Sequence, residues 1–200
     1  FRSDIIIFAG DLVDEDIAPV IRDNMGSVLE KLRAKYGVFA VLGNHEYFGG
    51  ADAATNYLER HGITMLRDKV AILPNIFNIV GREDKEKSRF SSAPRLSLDV
   101  LLEKCDKSLP TIIIDHQPTD IYSRVKYDFE LSIFGHTHHG QLFPLNIITN
   151  RLYTISHGFR TIDGKNFYVS CGIGTWGPPL RTGSRPEIVV FNFINNDALK

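Results

Sequence analysis

Aspartate, asparagine and histidine recur in this 200-residue chain where apolar runs have just ended. The runs close as Ala9-Gly10-Asp11, Leu42-Gly43-Asn44-His45-Glu46, Ile114-Asp115-His116 and Phe134-Gly135-His136-Thr137-His138. Imidazole suits zinc, iron or manganese, and carboxylate and amide oxygens suit harder ions. No thiolate joins the set, which argues against a closed structural zinc site. A carboxylate such as Asp11 can bridge two ions about 3.5–4 Å apart, a spacing that stabilises attacking and leaving oxygens together. Water on such an ion ionises near neutral pH and becomes a nucleophile.

Taken singly, each stretch has a plainer reading. Gly-Asp after a strand is more often a turn, a lone His116 is more often a hydrogen-bonded loop residue, and Asn44 is a fair helix cap. Alternating His136 and His138 behind an apolar run have few structural explanations. All four stretches in order make a metal site the better reading.

The elements that must position these residues follow from patterning. Residues 5–9, 38–42, 111–115 and 131–134 are short apolar runs that read as buried strands. Ile17, Ile21, Met25, Val28, Leu29 and Leu32 recur at helical spacing, with Gly37 as a stop. Helices are also expected over 51–60, around Leu96 to Cys105, and over 118–126. Residues 63–80 read as strands and turns, and 82–92 as a polar, mobile loop. After Gly140 the pattern reads mostly as strand, over 152–156, 166–170 and 188–193. One α/β domain over 1–200 is expected, with two sheets face to face and helices outside. Its ligands would sit in the crevice at the carboxyl ends of the strands.

Composition narrows the function classes. The chain is 43% hydrophobic and 24% charged with a net charge of -1, so no basic field recommends nucleic acid or an anionic membrane as partner. Cys105 and Cys171 read as buried thiols. No apolar run approaches the roughly 20 residues needed to span a bilayer, and no signal peptide is evident. Phe1-Arg2-Ser3-Asp4 runs straight into a strand, which suggests a piece of a longer protein.

The ordered stretches resemble the motifs of the calcineurin-like metallophosphoesterases: Asp-x-His, Gly-Asp, Gly-Asn-His-Asp/Glu, His and Gly-His-x-His. The last four are present as Gly10-Asp11, Gly43 to Glu46, His116 and Gly135 to His138. The tail, Tyr168 to Arg181 and Arg185 to Ile188, is similar to a bacterial subgroup of membrane-associated or exported phosphoesterases. There the last motif continues Gly-Gly-Gln. Here it continues His139-Gly140-Gln141, which adds a polar side chain.

The resemblance implies a four-layer α-β-β-α sandwich of two mixed sheets, and it implies roles. Asp11 bridges two ions, Asn44, His116 and His136 complete one site, and His138 serves the other. Asn44, His45 and Arg181 contact substrate. His45 protonates the leaving oxygen while Glu46 holds its imidazole, and a structural role for Arg181 is nearly as good a reading. The Asp-x-His motif would lie before residue 1. The chain is therefore expected to lack its first strand, to keep one near-complete site, and to be weakly active or inactive by itself. The parent protein would be a phosphodiesterase or phosphomonoesterase using manganese, zinc or iron on a phosphate ester. The subgroup suggests a lipid-linked or envelope-linked phosphate and a membrane-associated or extracytoplasmic location. The alternative is a non-catalytic metal-binding or interaction module with the same fold.

Overall fold

The computed structural model describes residues 3–194. Its elements run β1 (Ile6–Phe8), α1 (Ile17–Arg22), α2 (Gly26–Leu29), β2 (Val38–Ala40), α3 (Asn44–Gly49), α4 (Ala51–Arg60) and β3 (Thr64–Met65). They continue with β4 (Lys69–Leu73), β5 (Phe77–Gly81), α5 (Lys87–Phe90), α6 (Leu98–Leu102), β6 (Thr111–Ile114), α7 (Ile121–Arg124) and β7 (Leu131–Phe134). A 3-10 turn at His138–Gly140 leads to α8 (Leu145–Leu152), β8 (Gly158–Ile162) and β9 (Lys165–Val169).

Strand alternation builds the layers. Successive side chains of a strand point to opposite faces. Val38, Ala40 and Leu42 accordingly pack outward with Tyr57 and Leu58 of α4. Phe39 and Val41 pack inward against Ile79, Ile112, Ile114, Leu131 and Ile133 of the second sheet. Val80, Ile113 and Phe134 face the opposite side of that sheet, where Leu98, Leu101 and Leu102 of α6 and Ile121 of α7 cover them. Helix, sheet, sheet and helix thus stack in order, as expected. The first sheet is β1-β2-β3, and all its described pairings are parallel rather than mixed. The second, β4-β5-β6-β7-β9-β8, is mixed, with antiparallel pairs at both edges.

Three expectations give way. The single helix after Ile17 is two short ones, because Asn24 adopts a left-handed φ of 47°. Tyr57 then reaches in, its hydroxyl accepting the Gly26 N–H at 2.8 Å and donating to the Val20 carbonyl at 3.1 Å. The polar stretch from residue 82 begins inside the protein, with Arg82, Glu83 and Asp84 buried. Two of these charges are paired: Arg67 Nε donates to Glu83 Oε1 at 3.0 Å and Arg82 Nη1 to Asp115 Oδ2 at 3.0 Å, while Asp84 accepts from Gln117 Nε2 at 2.9 Å. In the tail, 152–156 forms no strand. The apolar, β-branched run before it folds as α8, while 188–193 carries no strand assignment.

A fully buried ion network braces the loop that β6 feeds. Asp115, 0% exposed, accepts from Arg124 Nη2 at 2.5 Å, Arg82 Nη1 at 3.0 Å and Arg95 Nη1 at 3.2 Å. Burial alone would raise the Asp115 carboxyl, but the three guanidinium groups hold it below its ordinary range. Removing one partner of such a buried set strands the remaining charges. Asp115→Ala is therefore expected to cost about 3–5 kcal/mol in urea unfolding. A loss below about 1 kcal/mol, the range of exposed ion pairs, would contradict the network's structural role.

Candidate metal centre

The four sequence stretches converge at the carboxyl ends of β1, β2, β6 and β7. Glu46, 1% exposed, ties two of them together. Its carboxylate accepts the backbone N–H groups of Asp11 at 3.0 Å, Leu12 at 2.5 Å, Val13 at 2.9 Å and Gly43 at 2.7 Å. Bonding back to Gly43 is one half of a capping box for α3. Burial and the neighbouring Asp11 charge push the Glu46 pKa up, and the N–H groups pull against them. Gly43 itself is dictated by close approach, since a Cβ there would collide with the Asp11 carboxylate. Asp11 and His136 sit at φ of 54° and 69°, strained values typical of functional loops.

The expected pairing of Glu46 with His45 is corrected by this geometry. Glu46 is spent on backbone, and His45 Nδ1 instead donates to Asp14 Oδ1 at 2.7 Å. Asp14 was not singled out from sequence. The signal available was its place three residues after Asp11, on the same strand-end loop.

Asp11 Oδ2 lies 2.9 Å from His116 Nε2. Asn44 Oδ1 lies 3.1 Å from the same nitrogen and 2.8 Å from His136 Nδ1, and the two ring nitrogens are 3.2 Å apart. His116 Nδ1 meets the Ala9 carbonyl at 2.7 Å and must therefore carry a proton. Neutral His116 thus turns a lone pair on Nε2 toward three other electron-rich atoms. Ligands 2.0–2.1 Å from a common ion stand about 3–3.4 Å apart, so the donor set fits a divalent metal.

His138 is placed differently. Its Nδ1 accepts from Arg181 Nη2 at 3.2 Å. A guanidinium cannot give up its proton, so the neutral His138 ring carries hydrogen on Nε2 and offers no free lone pair while that contact lasts. Arg181 also donates to the Cys171 carbonyl at 2.8 Å and, at Nη1, to Ser184 Oγ at 2.8 Å. Its guanidinium thereby braces His138 and the loop after β9.

Residues 2–140 match the family model described as Calcineurin-like phosphoesterase. The chain belongs to the calcineurin-like phosphoesterase family. A Helicobacter pylori protein named an uncharacterized metallophosphoesterase is 36% identical over 96% of this chain and 51% of its own length. A cattle protein named a transmembrane protein with metallophosphoesterase domain is 31% identical over 94% of the chain and 45% of its own. The chain thus spans about half the length of these curated relatives. The crystal structure of a phosphopantetheinyl hydrolase from Mycobacterium tuberculosis shares the fold, with a TM-score of 0.50 at 18% identity over 84% of this chain and 78% of that one.

In this phosphoesterase domain the centre opens into a pocket of about 320 Å³. Asp11, His45, His136 and His138 form one wall, and Leu145, Ile148, Leu152, Tyr153 and Trp176 form the other. Helix α8 reaches this position because Gly140, at φ 73°, lets the 3-10 turn lie directly on the backbone of its first turn. Sequence patterning missed this apolar wall, since α8 was expected as part of a β region.

The charges explain how the metal-free centre holds together. Burial disfavours an imidazolium at His116, but the Asp11 charge and hydrogen bond raise its pKa to about 9. Burial likewise opposes the Asp11 carboxylate, yet His116 brings it down to about 2. His136 falls to about 4 through burial and the His116 charge, and His138 to about 4 through burial and Arg181. His116 therefore keeps its second ring proton at neutral pH. With its folded pKa raised, His116 contributes stability that is full below its ordinary pKa and lost as pH rises through about 9. A metal must displace that proton. Calorimetry in buffers of different ionisation enthalpy should therefore show release of about one proton per ion at neutral pH, with apparent affinity rising about tenfold per pH unit up to that pKa. Binding with no proton release would contradict this.

Proposed function

We propose that this domain is the catalytic part of a metal-dependent phosphoester hydrolase, a phosphodiesterase or phosphomonoesterase. The observation that carries it is the convergence of Asp11, Asn44, His116 and His136 at the head of a pocket also lined by His45. Bound divalent ions, of manganese, zinc or iron, would supply charge for the phosphoryl oxygens and a nucleophile from water. Asp11, Asn44, His116 and His136 hold one ion. Asp11 and His138 serve a second, for which His138 gives up its contact with Arg181.

His45 does the proton work. Its Nδ1–H is fixed by Asp14, which leaves Nε2 as the atom that donates to the leaving oxygen. The backbone N–H of His45 donates to Asp11 Oδ1 at 3.1 Å, so the acid and the bridging carboxylate are set by one loop. The apolar wall favours a phosphate ester that carries an apolar organic group. Leu152 is 72% exposed, far more than a residue needed only for packing. A lipid-linked or envelope-linked phosphate fits that wall, and a working position at a membrane surface fits such a substrate. The described residues contain no helix long and apolar enough to cross a membrane.

Hydrolysis of methyl and octyl p-nitrophenyl phosphodiesters by the full-length protein with manganese tests this reading. Asp11→Asn and His136→Ala should abolish turnover of both esters, and His45→Ala should lower kcat about 10²–10⁴-fold. Asp14→Asn should lower kcat more than it changes KM. Turnover that survives Asp11→Asn and His136→Ala would sink the proposal, and equal kcat/KM for the two esters would remove the apolar ester group from it.

A further inference from the structure

A second group of metal-ligating side chains lies behind Arg181, outside the pocket. His157, Cys171 and Glu187 each bring one ligand atom within 4.8 Å of the others. They come from three separate segments: the residue before β8, the loop after β9, and the extended tail. His157 Nε2 is 3.2 Å from Glu187 Oε2. The Cys171 thiol is 2% exposed. Beside them stands His139, its ring centroid 4.9 Å from that of His157 and its plane tilted by 36°.

The plain reading is a carboxylate anchoring a loop. Glu187 does accept from Ser170 Oγ at 2.9 Å, Cys171 N at 3.0 Å and Tyr168 OH at 3.2 Å. Those three bonds account for the glutamate. They do not account for the buried thiol of Cys171 brought together with the His157 imidazole and the Glu187 carboxylate. The His139 and His157 rings have no hydrogen bond to each other, and His139 Nδ1 has only a long contact of 3.4 Å with Ser156 Oγ. The thiol, kept protonated by burial and by the Glu187 charge, has its pKa raised to about 11. It donates to the Arg185 carbonyl at 2.9 Å. A soft ion would replace that proton, as thiolate ligation does generally.

We infer that His157, Cys171 and Glu187 form a separate site for a zinc-class divalent ion. Thiolate, imidazole and carboxylate in tetrahedral array suit zinc and cobalt, whereas a thiolate disfavours magnesium, calcium and manganese. A tetrahedral site needs donors about 3.3–3.8 Å apart, so the group closes by about an ångström on binding. Three protein ligands leave the fourth position to water. The site ties the loop after β9 to the segment before β8. That loop supplies the Cys171 carbonyl to which Arg181 is bonded while it holds His138.

Cobalt titration of the untagged chain tests this, because thiolate-to-cobalt charge transfer absorbs in the near ultraviolet and the pocket centre contains no sulfur. The band should grow to one equivalent and should persist in Asp11→Asn and in Cys105→Ser. It should disappear in Cys171→Ser, a near-isosteric change whose fold is checked by circular dichroism. His157→Ala and Glu187→Gln should each weaken cobalt binding at this band about tenfold or more, at least as much as losing an outer-shell partner. A saturating titration with no band would overturn the site, as would a band that survives Cys171→Ser.

Discussion

Asp11 Oδ2, Asn44 Oδ1, His116 Nε2 and His136 Nδ1 are all electron-rich, and they lie about 3 Å apart in a low-dielectric cleft. Such a group is repulsive unless positive charge sits inside it. A proton on His116, held beside Asp11, supplies one such charge. The family and the donor chemistry point to a divalent ion in its place. Much of the surrounding structure serves to hold these atoms in that unfavourable proximity until the charge arrives.

Two buried carboxylates on opposite sides of the centre do the holding. Glu46 gathers the β1 and β2 loops through backbone N–H groups, which fixes Asp11 and Asn44 without touching either side chain. Asp115 gathers three arginines directly before His116. Neither carboxylate reaches the ligand cluster. Each converts a flexible strand end into a fixed platform, as sites of this precision require. His45 and His138 are braced in turn by Asp14 and Arg181, so both walls of the cleft are positioned by groups beyond the ligands themselves.

The continuous apolar runs of 38–42 and 111–115 made buried strands legible, because a strand covered on both faces needs apolar side chains throughout. The ligand stretches were legible for a different reason: they follow strands directly, and loop chemistry there is constrained by glycine and by charge. What could not be read were contacts across long sequence distances. Nothing local ties Glu46 to the backbone of Val13, or Asp14 to His45, and proximity within the tetrapeptide Gly43 to Glu46 favoured the wrong partner. Arg82 to Asp84 read as solvent loop because polarity was visible and the distant partners Asp115, Arg67 and Gln117 were not. Helix α8 was hidden by an apolar, β-branched run whose side chains line a pocket rather than a core.

Anomalous diffraction from crystals soaked in manganese addresses the centre directly. The account predicts a peak within coordination distance of Asp11 Oδ2, Asn44 Oδ1, His116 Nε2 and His136 Nδ1, with His116 Nδ1 still bonded to the Ala9 carbonyl. A saturated crystal with no peak at that point, and with His116 still paired to Asp11 as in the metal-free protein, would contradict it.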